Sequence, residues 1–227
     1  KPLLKINNLS IISHVFKKAE KSNIGEVVVA TEDQEIFDEV LKNKGNAILT
    51  SKSHKTGTDR IYEAYKKLCI NDVDFILNLQ GDEPIINTAD ILHLNNFMIK
   101  EKLEIGTLGA ELKDKSNLND RNVVKVVTKK KLNFINSSIA LKFIRENLSR
   151  DIENVYHHIG IYSYSVEALE KFVNYQQTKN EIKNKLEQLR ALDNNLDINV
   201  GLAKSSPIGV DTHEDYLAIK KIMEYKS

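Results

Sequence analysis

Between Glu26 and Lys100, short uncharged runs and helical stretches take turns along the chain. EVVVA (26–30) is short, β-branched and uncharged at its centre, as the buried strands of parallel sheets are. Thr31-Glu-Asp-Gln34 then reads as a capping box, with Thr31 at the N-cap and Gln34 reaching back. It opens a helix to about Leu41 that Gly45 ends. Residues 46–50 form a second strand, and the polar loop SKSHKTGTD leads into the helix RIYEAYKKLC. DFILNLQ is a third strand; GDEP breaks it, and a helix from about Thr88 to Lys100 follows. Ahead of these, LSIISHVFKKAE places Leu9, Ile12, Val15, Phe16 and Ala19 at helical spacing. Strand and helix in alternation predict an α/β fold with a mainly parallel sheet.

After Glu104 the character changes. IGTLGAEL, NVVKVVT and HHIGIYSYS read as strands, VEALEKFV and EIKNKLEQLRAL as helices, and LDINVGLA as a further strand. Thr212-His-Glu-Asp215 caps a C-terminal helix, DYLAIKKIMEY. Residues 129–154 show no clear pattern. No internal repeat and no Pro/Gly linker divides the chain. The expectation is one domain over 1–227, with 104–203 holding a smaller mixed or antiparallel extension.

Composition narrows the function classes. A chain of 227 residues with net charge +1 has ample length for a core and no basic field to attract nucleic acid or an anionic membrane. No apolar run has the length of a membrane span, and no signal peptide is visible, so a cytoplasmic protein is expected. The single cysteine, Cys69, excludes an intramolecular disulfide and a multi-cysteine zinc site within one chain. It falls late in a helix, where it is expected to pack as a small hydrophobe.

Ligands of open α/β sheets bind at the carboxyl ends of the strands, and three polar loops qualify. In SHKTGTDR, small residues let the backbone approach an anion, helix-start N–H groups near Thr58 and Asp59 face it, and Arg60 adds charge. A plainer reading makes Thr58 or Asp59 a helix cap and Arg60 a surface residue. In GDEP, Asp82 and Glu83 offer hard oxygen ligands suited to Mg²⁺, although Gly and Pro also serve simply to turn the chain. In PIGVDTHED, the capping box accounts for Thr212 and Asp215 but not for Asp211, which can complete a metal site with Asp82. His213 lies inside the cap and suits a surface residue. The neighbours His157 and His158 point to opposite faces of a strand and cannot chelate one ion together. Glu187 and Arg190, three apart on an expected helix, suit an ion pair.

Taken in order, KPL, HKTGTDRIYEA, FILNLQGDEPII, NVVKVVT, HHIGIYSY, KLEQLRAL and GVDTHEDY resemble the 3-deoxy-manno-octulosonate (Kdo) cytidylyltransferases of Gram-negative bacteria, over the whole chain. The resemblance implies a nucleotidyltransferase α/β fold, a homodimer, and transfer of CMP from CTP to the anomeric hydroxyl of Kdo for lipopolysaccharide biosynthesis. It implies Asp82 and Asp211 as Mg²⁺ ligands and catalytic residues, with Lys1 beside them. It places CTP against Lys1, Thr56, Gly57, Thr58, Asp59, Arg60, Gln80 and Gly81. His158, Tyr162, Glu187 and Gln188 then line the sugar-acid pocket.

Two departures stand out. The family carries an N-terminal strand and an Arg/Ser-rich phosphate loop ahead of its Lys-Pro-Leu, so native sequence is expected upstream of Lys1. In KLNFINSSIA, Asn136 stands where relatives tend to have arginine, and Ser138 and Ala140 replace prolines. Arg145 or Arg150 is a candidate substitute for that arginine. Three rivals stay open: a cytidylyltransferase for another sugar acid such as sialic acid, a catalytically silent nucleotide- or sugar-binding relative, and a metal-dependent glycosyltransferase. LEQLR and HIGIY favour Kdo.

Overall fold

The computed structural model describes residues 1–112, 118, 120–146, 152–207 and 209–225. They form two compact units, one of Lys1–Asn71, Asn78–Leu92 and Pro207–Ser227, the other of Asp72–Leu77 and His93–Ser206.

The first unit opens with a hairpin of β1 (Lys5–Ile6) and β2 (Leu9–Ser10). Asn7 and Asn8 both have positive φ, 49° and 64°, the two-residue turn whose twist suits a hairpin and which asparagine tolerates. Helix α1 (Ile11–Ser22) buries Ile11, Ile12, Val15 and Phe16. Strand β3 (Val29–Thr31) crosses through α2 (Gln34–Lys42) to β4 (Ala47–Leu49), and the two strands pair in parallel from Val29↔Ala47 to Thr31↔Leu49. Thr31 is not the cap of α2. It ends β3, and its hydroxyl accepts from Asp33 N–H at 3.1 Å. Asp33 then caps the helix by accepting from Glu35 N–H at 2.8 Å. The left-handed residue after α2 is Lys44, not Gly45. Helix α3 (Gly57–Leu68) ends at Cys69, which has φ 50° and is exposed rather than packed. The strand ladder and helix C-caps fix these residues, and the local pattern shows neither.

The second unit takes β5 (Phe75–Asn78) up to Leu77 and α4 (Thr88–Glu101) from His93, then β6 (Ile105–Glu111), β7 (Lys125–Thr128), β8 (Ser138–Ile144) and β9 (Val155–Ser165). Then come α5 (Val166–Asn174), α6 (Lys179–Asn184), α7 (Leu189–Asp193) and β10 (Asn199–Leu202). A six-stranded sheet runs β5-β9-β6-β10-β8-β7, and β7 also pairs with β9 through Lys125↔His157, so five of the strands close into a ring. Register shifts at Thr107/Leu108 and Val127/Thr128 bend the strands that close it. Gly106 lets α4 approach the sheet, because an added Cβ would sit 2.4 Å from Met98 Sδ.

The mixed or antiparallel pairing expected of residues 104–203 is what forms here. β6–β10 is parallel, but β6–β9, β7–β8, β7–β9 and β8–β10 are antiparallel. Parallel neighbours need a crossover helix. Among the described residues between β6 and β9 there is no α-helix, so those strands reverse direction. The expected helix EIKNKLEQLRAL is split, because Lys185 takes φ 52° and ends α6 before α7 begins.

The last helix, α8 (His213–Glu224), returns to the first unit. There Ile219 packs with Ile6, Ile11 and Val210. Among the described residues no helix is long and apolar enough to cross a membrane.

Candidate active site

In the first unit the chain leaves β5 through a tight turn, in which Glu83 N–H donates to the carbonyl of Gln80 at 3.4 Å and Ile86 N–H to that of Glu83 at 3.2 Å. Gly81 packs closely at this turn, where a Cβ would lie 3.0 Å from Ile12 Cδ1. Val210 N–H donates to the carbonyl of Asp82 at 2.9 Å. That single backbone bond joins the two distant loops and brings Asp211 beside Asp82.

The Thr212–Asp215 box forms as the sequence predicts. The Thr212 hydroxyl accepts from Asp215 N–H at 3.1 Å, and the Asp215 carboxylate accepts from the N–H groups of Thr212 (2.8 Å) and Asp211 (3.1 Å). Asp215 therefore fixes the Asp211 backbone and leaves its side chain outward. Lys1 Nζ lies 3.5 Å from Asp211 Oδ1, and both side chains are largely exposed, so the pair adds little stability. Burial, and then the nearby Asp211 charge, hold the Asp82 carboxyl above its ordinary range, while Lys1 acts in the opposite sense. Two carboxylates held close enough to repel suit a hard divalent cation. Among the described residues no cluster of three or more His, Cys, Asp or Glu is arranged for a metal. Mg²⁺ fits a two-carboxylate set, since it keeps waters and takes substrate phosphates as its remaining ligands.

The second loop of this unit enters α3. Thr56, not Thr58 or Asp59, is the N-cap, and its hydroxyl accepts from Asp59 N–H at 3.3 Å and donates to Asp59 Oδ2 at 2.7 Å. Gly57 is exposed and Thr58 buried. The Arg60 guanidinium donates to Thr50 Oγ1 at 2.7 Å and pairs with Glu32, so it braces the loop from behind. Glu63 accepts from Ser51 N–H at both oxygens (3.1 and 3.0 Å) and pairs with His54 and with Lys67. These partners, Lys67 first, hold Glu63 down at about 2. Gln80 is exposed.

The second unit carries the sugar-acid candidates. His157 and His158 face opposite sides of β9, His157 bonding Ser206 at 2.6 Å and His158 bonding Thr107 at 3.0 Å. Thr107 gives its one hydroxyl proton to the carbonyl of Ile161 at 2.7 Å, so His158 Nε2 is the donor and its Nδ1 is a bare acceptor. Burial, then His157 and Arg145, hold His158 at about 3, so it is neutral. Tyr162 lies 5.3 Å from the His158 ring and stacks on Tyr164 at 5.9 Å. Its hydroxyl is buried with no hydrogen-bond partner among the described residues, and burial, Tyr164 and Glu187 keep it protonated. Gln188 is buried at the start of α7, and Glu187 precedes it. Asn136 is exposed in a turn held by Asn133. Arg145 donates to the carbonyls of Arg121 and Asn122 at 3.4 and 3.3 Å. Arg150 lies outside the described residues.

Three participants are absent from the sequence reading. Thr107 and Glu63 carry no local signal. Glu181 does, because Thr178-x-x-Glu181 is a capping box, and the box forms.

A family model described as cytidylyltransferase matches residues 1–198. The chain is 39% identical over 225 residues to the 3-deoxy-manno-octulosonate cytidylyltransferase of Bartonella tribocorum, covering 98% of this chain and 91% of that one. It is 40% identical over 239 residues to the protein of the same name from Thermodesulfovibrio yellowstonii, with the same coverage. The chain belongs to the 3-deoxy-manno-octulosonate cytidylyltransferase family. In agreement, a CMP:2-keto-3-deoxy-manno-octonic acid synthetase complexed with CTP superposes with TM-score 0.88 at 30% identity, over 100% of this chain and 92% of that one. Apo-UDP-glucose pyrophosphorylase, at 13% identity and TM-score 0.75 over 100% of this chain and 90% of that one, shares the fold alone. The fold of this cytidylyltransferase is thus of the nucleotidyltransferase type, with mixed α/β content.

Proposed function

We propose that the chain transfers CMP from CTP to the anomeric hydroxyl of Kdo and releases pyrophosphate. The observation that carries the reading is the near-complete likeness to a synthetase solved with CTP. The pairing of Asp82 with Asp211 beside Lys1 supports it from the residues. Asp82 and Asp211 would hold Mg²⁺, which when bound neutralises phosphate charge and orients the pyrophosphate leaving group. Lys1 adds a cation for the phosphates. The Thr56–Arg60 loop, Gln80 and Gly81 offer backbone and side-chain donors to the nucleotide.

On the acceptor, the bare Nδ1 of neutral His158 takes a hydrogen bond from a sugar hydroxyl, and the Tyr162 hydroxyl supplies a buried polar contact. Glu187 and Gln188 complete the pocket, and Arg145 is the cation for the carboxylate in place of the arginine that Asn136 replaces. The anomeric oxygen attacks the α-phosphorus in line as the bond to pyrophosphate breaks, and no protein nucleophile is needed. The product suits lipopolysaccharide assembly in the cytoplasm, and the working form is a homodimer. Phe134 and Ile135, exposed at 53% and 70%, offer apolar surface to a second copy.

The test is pyrophosphate release from CTP with Mg²⁺ and either Kdo or sialic acid, using the full-length protein. Release with Kdo is expected. Preference for sialic acid, or CTP binding without release, defeats the proposal.

A further inference from the structure

Arg190 is the largest fully buried side chain among the described residues, at 1% exposure. A buried guanidinium in a unit that binds an acidic sugar invites assignment to the substrate carboxylate. Its surroundings say otherwise. Its Nε donates to Glu181 Oε2 at 3.0 Å and its Nη2 to Glu181 Oε1 at 2.7 Å, a two-point pair with its own carboxylate. Glu181 in turn accepts from Thr178 N–H at 3.2 Å and Gln177 Nε2 at 3.0 Å, so both carboxylate oxygens are occupied.

The same guanidinium lies 4.6 Å from the ring centroid of Phe172. Phe172 packs on Tyr164 at 5.9 Å, Tyr164 on Tyr162 at 5.9 Å, and Tyr162 on His158 at 5.3 Å. Arg190 is also one end of the turn that presents Glu187 and Gln188, since its N–H donates to the carbonyl of Glu187 at 3.0 Å. One side chain thus ties the turn bearing two pocket residues to the aromatic ladder bearing the other two. At the centre of that ladder, Tyr162 is 7% exposed and its hydroxyl has no partner among the described residues, so it is available to a ligand group.

We propose that the Glu181–Arg190 pair is a positioning device for the acceptor: it sets the Glu187–Gln188 turn against the Tyr162–His158 ladder and does not touch the sugar acid. This rests on the reading of that pocket as the Kdo pocket. It makes an arginine that looks like a substrate ligand an internal brace.

The experiment compares wild type with Glu181→Gln, Arg190→Met and the double variant Glu181→Leu/Arg190→Met, measuring Tm, the KM values for Kdo and CTP, kcat, and Kdo affinity by calorimetry. The KM for Kdo is expected to rise roughly ten- to hundredfold, the scale of misplacing a substrate group by about an ångström, while that for CTP stays within about twofold. The double variant removes both charges together. It is expected to recover Tm towards wild type and to keep the raised KM for Kdo, which a purely stabilising pair does not do. A double variant with normal KM for Kdo overturns the inference, as does a Glu181→Gln variant that changes CTP and Kdo equally. If Arg190→Met does not fold, Glu181→Gln, which keeps one acceptor, decides. A wild-type chain that binds Kdo without releasing pyrophosphate defeats the catalytic reading alone, and calorimetry of the variants still tests the brace. A wild type that does not bind Kdo overturns both.

Discussion

His158 offers a quantitative test, because its environment opposes charge on every side. It is 8% exposed and bonded to Thr107, and the edge of Phe143 meets its ring at 5.0 Å. Burial first, then the neighbouring His157 and Arg145, bring it from 6.5 to about 3. A histidine with a depressed value in the fold binds fewer protons than it does unfolded between those two limits. Its contribution to stability is therefore complete above about pH 6.5 and is lost as pH falls towards 3. Each pH unit inside the window costs about 1.4 kcal/mol, roughly 2 kcal/mol between pH 6.5 and 5 and about 4 to 5 kcal/mol over the whole span. His157 is also depressed, chiefly by burial, and acts in the same direction, so wild type alone does not isolate one ring.

The decisive comparison is His158→Gln, whose amide can still bond Thr107. Urea unfolding of both proteins at pH 7.5, 6.5, 5.5 and 5.0 gives the difference in stability. That difference should shift in favour of the variant by about 1.4 kcal/mol per pH unit below pH 6. Parallel curves would show that His158 takes up a proton in the folded state and would refute the neutral, acceptor-bearing Nδ1.

Asp82→Asn should leave Tm nearly unchanged and lower turnover at least about a hundredfold, since metal-borne charge stabilisation is worth several kcal/mol; pyrophosphate release near the wild-type rate would make the QGDEP turn only a turn. Thr212→Ala should cost about 1 kcal/mol by urea melt, because it removes the cap of α8. It should also lower activity more than Tm, since the cap sets the backbone that carries Asp211. Glu63→Gln should raise the KM for CTP several-fold and leave that for Kdo unchanged, because Glu63 holds Ser51 and His54 of the entry loop; equal rises for both substrates would show a general loss of structure.

The first unit was the more legible. The hydrophobic period marked α1, the β-branched run marked β3, and Thr212-x-x-Asp215 gave a cap that forms as read. Misreadings there concern which residue takes a cap or a left-handed turn: Asp33 for Thr31, Lys44 for Gly45, Thr56 for Thr58. Each differs from the local reading because a neighbouring strand or helix end had already fixed the backbone. The second unit was less legible. Strand β8 reads Ser-Ile-Ala-Leu-Lys-Phe-Ile with Leu141 and Lys142 both exposed, so it lacks the strict alternation that announces a strand. The sheet's mixed or antiparallel character was expected, but not which strands pair; the antiparallel pairings follow from the lack of a crossover helix among the described residues between β6 and β9. The two halves of the candidate site were visible as Asp82 and Asp211, but the bond that joins them, Val210 to the Asp82 carbonyl, is a backbone contact that no side chain announces. Arg190 has a partner the sequence does not announce, Glu181, because that residue lies across the break at Lys185 that a continuous helix would not have.

Strand β9 has neighbours on both flanks. Residues 156–159 and 162–164 pair with β6, its first three residues also pair with β7, and β5 lies against it too. Its amide protons should accordingly be among the slowest in the second unit to exchange with deuterated solvent, since opening them means breaking ladders on both sides. The strand that carries His158 and Tyr162 is the one least able to breathe. Under the proposed acceptor role of His158 and Tyr162, an acceptor one hydroxyl or one carbon different would not be accommodated by easing that strand outward, and discrimination would fall to its shape.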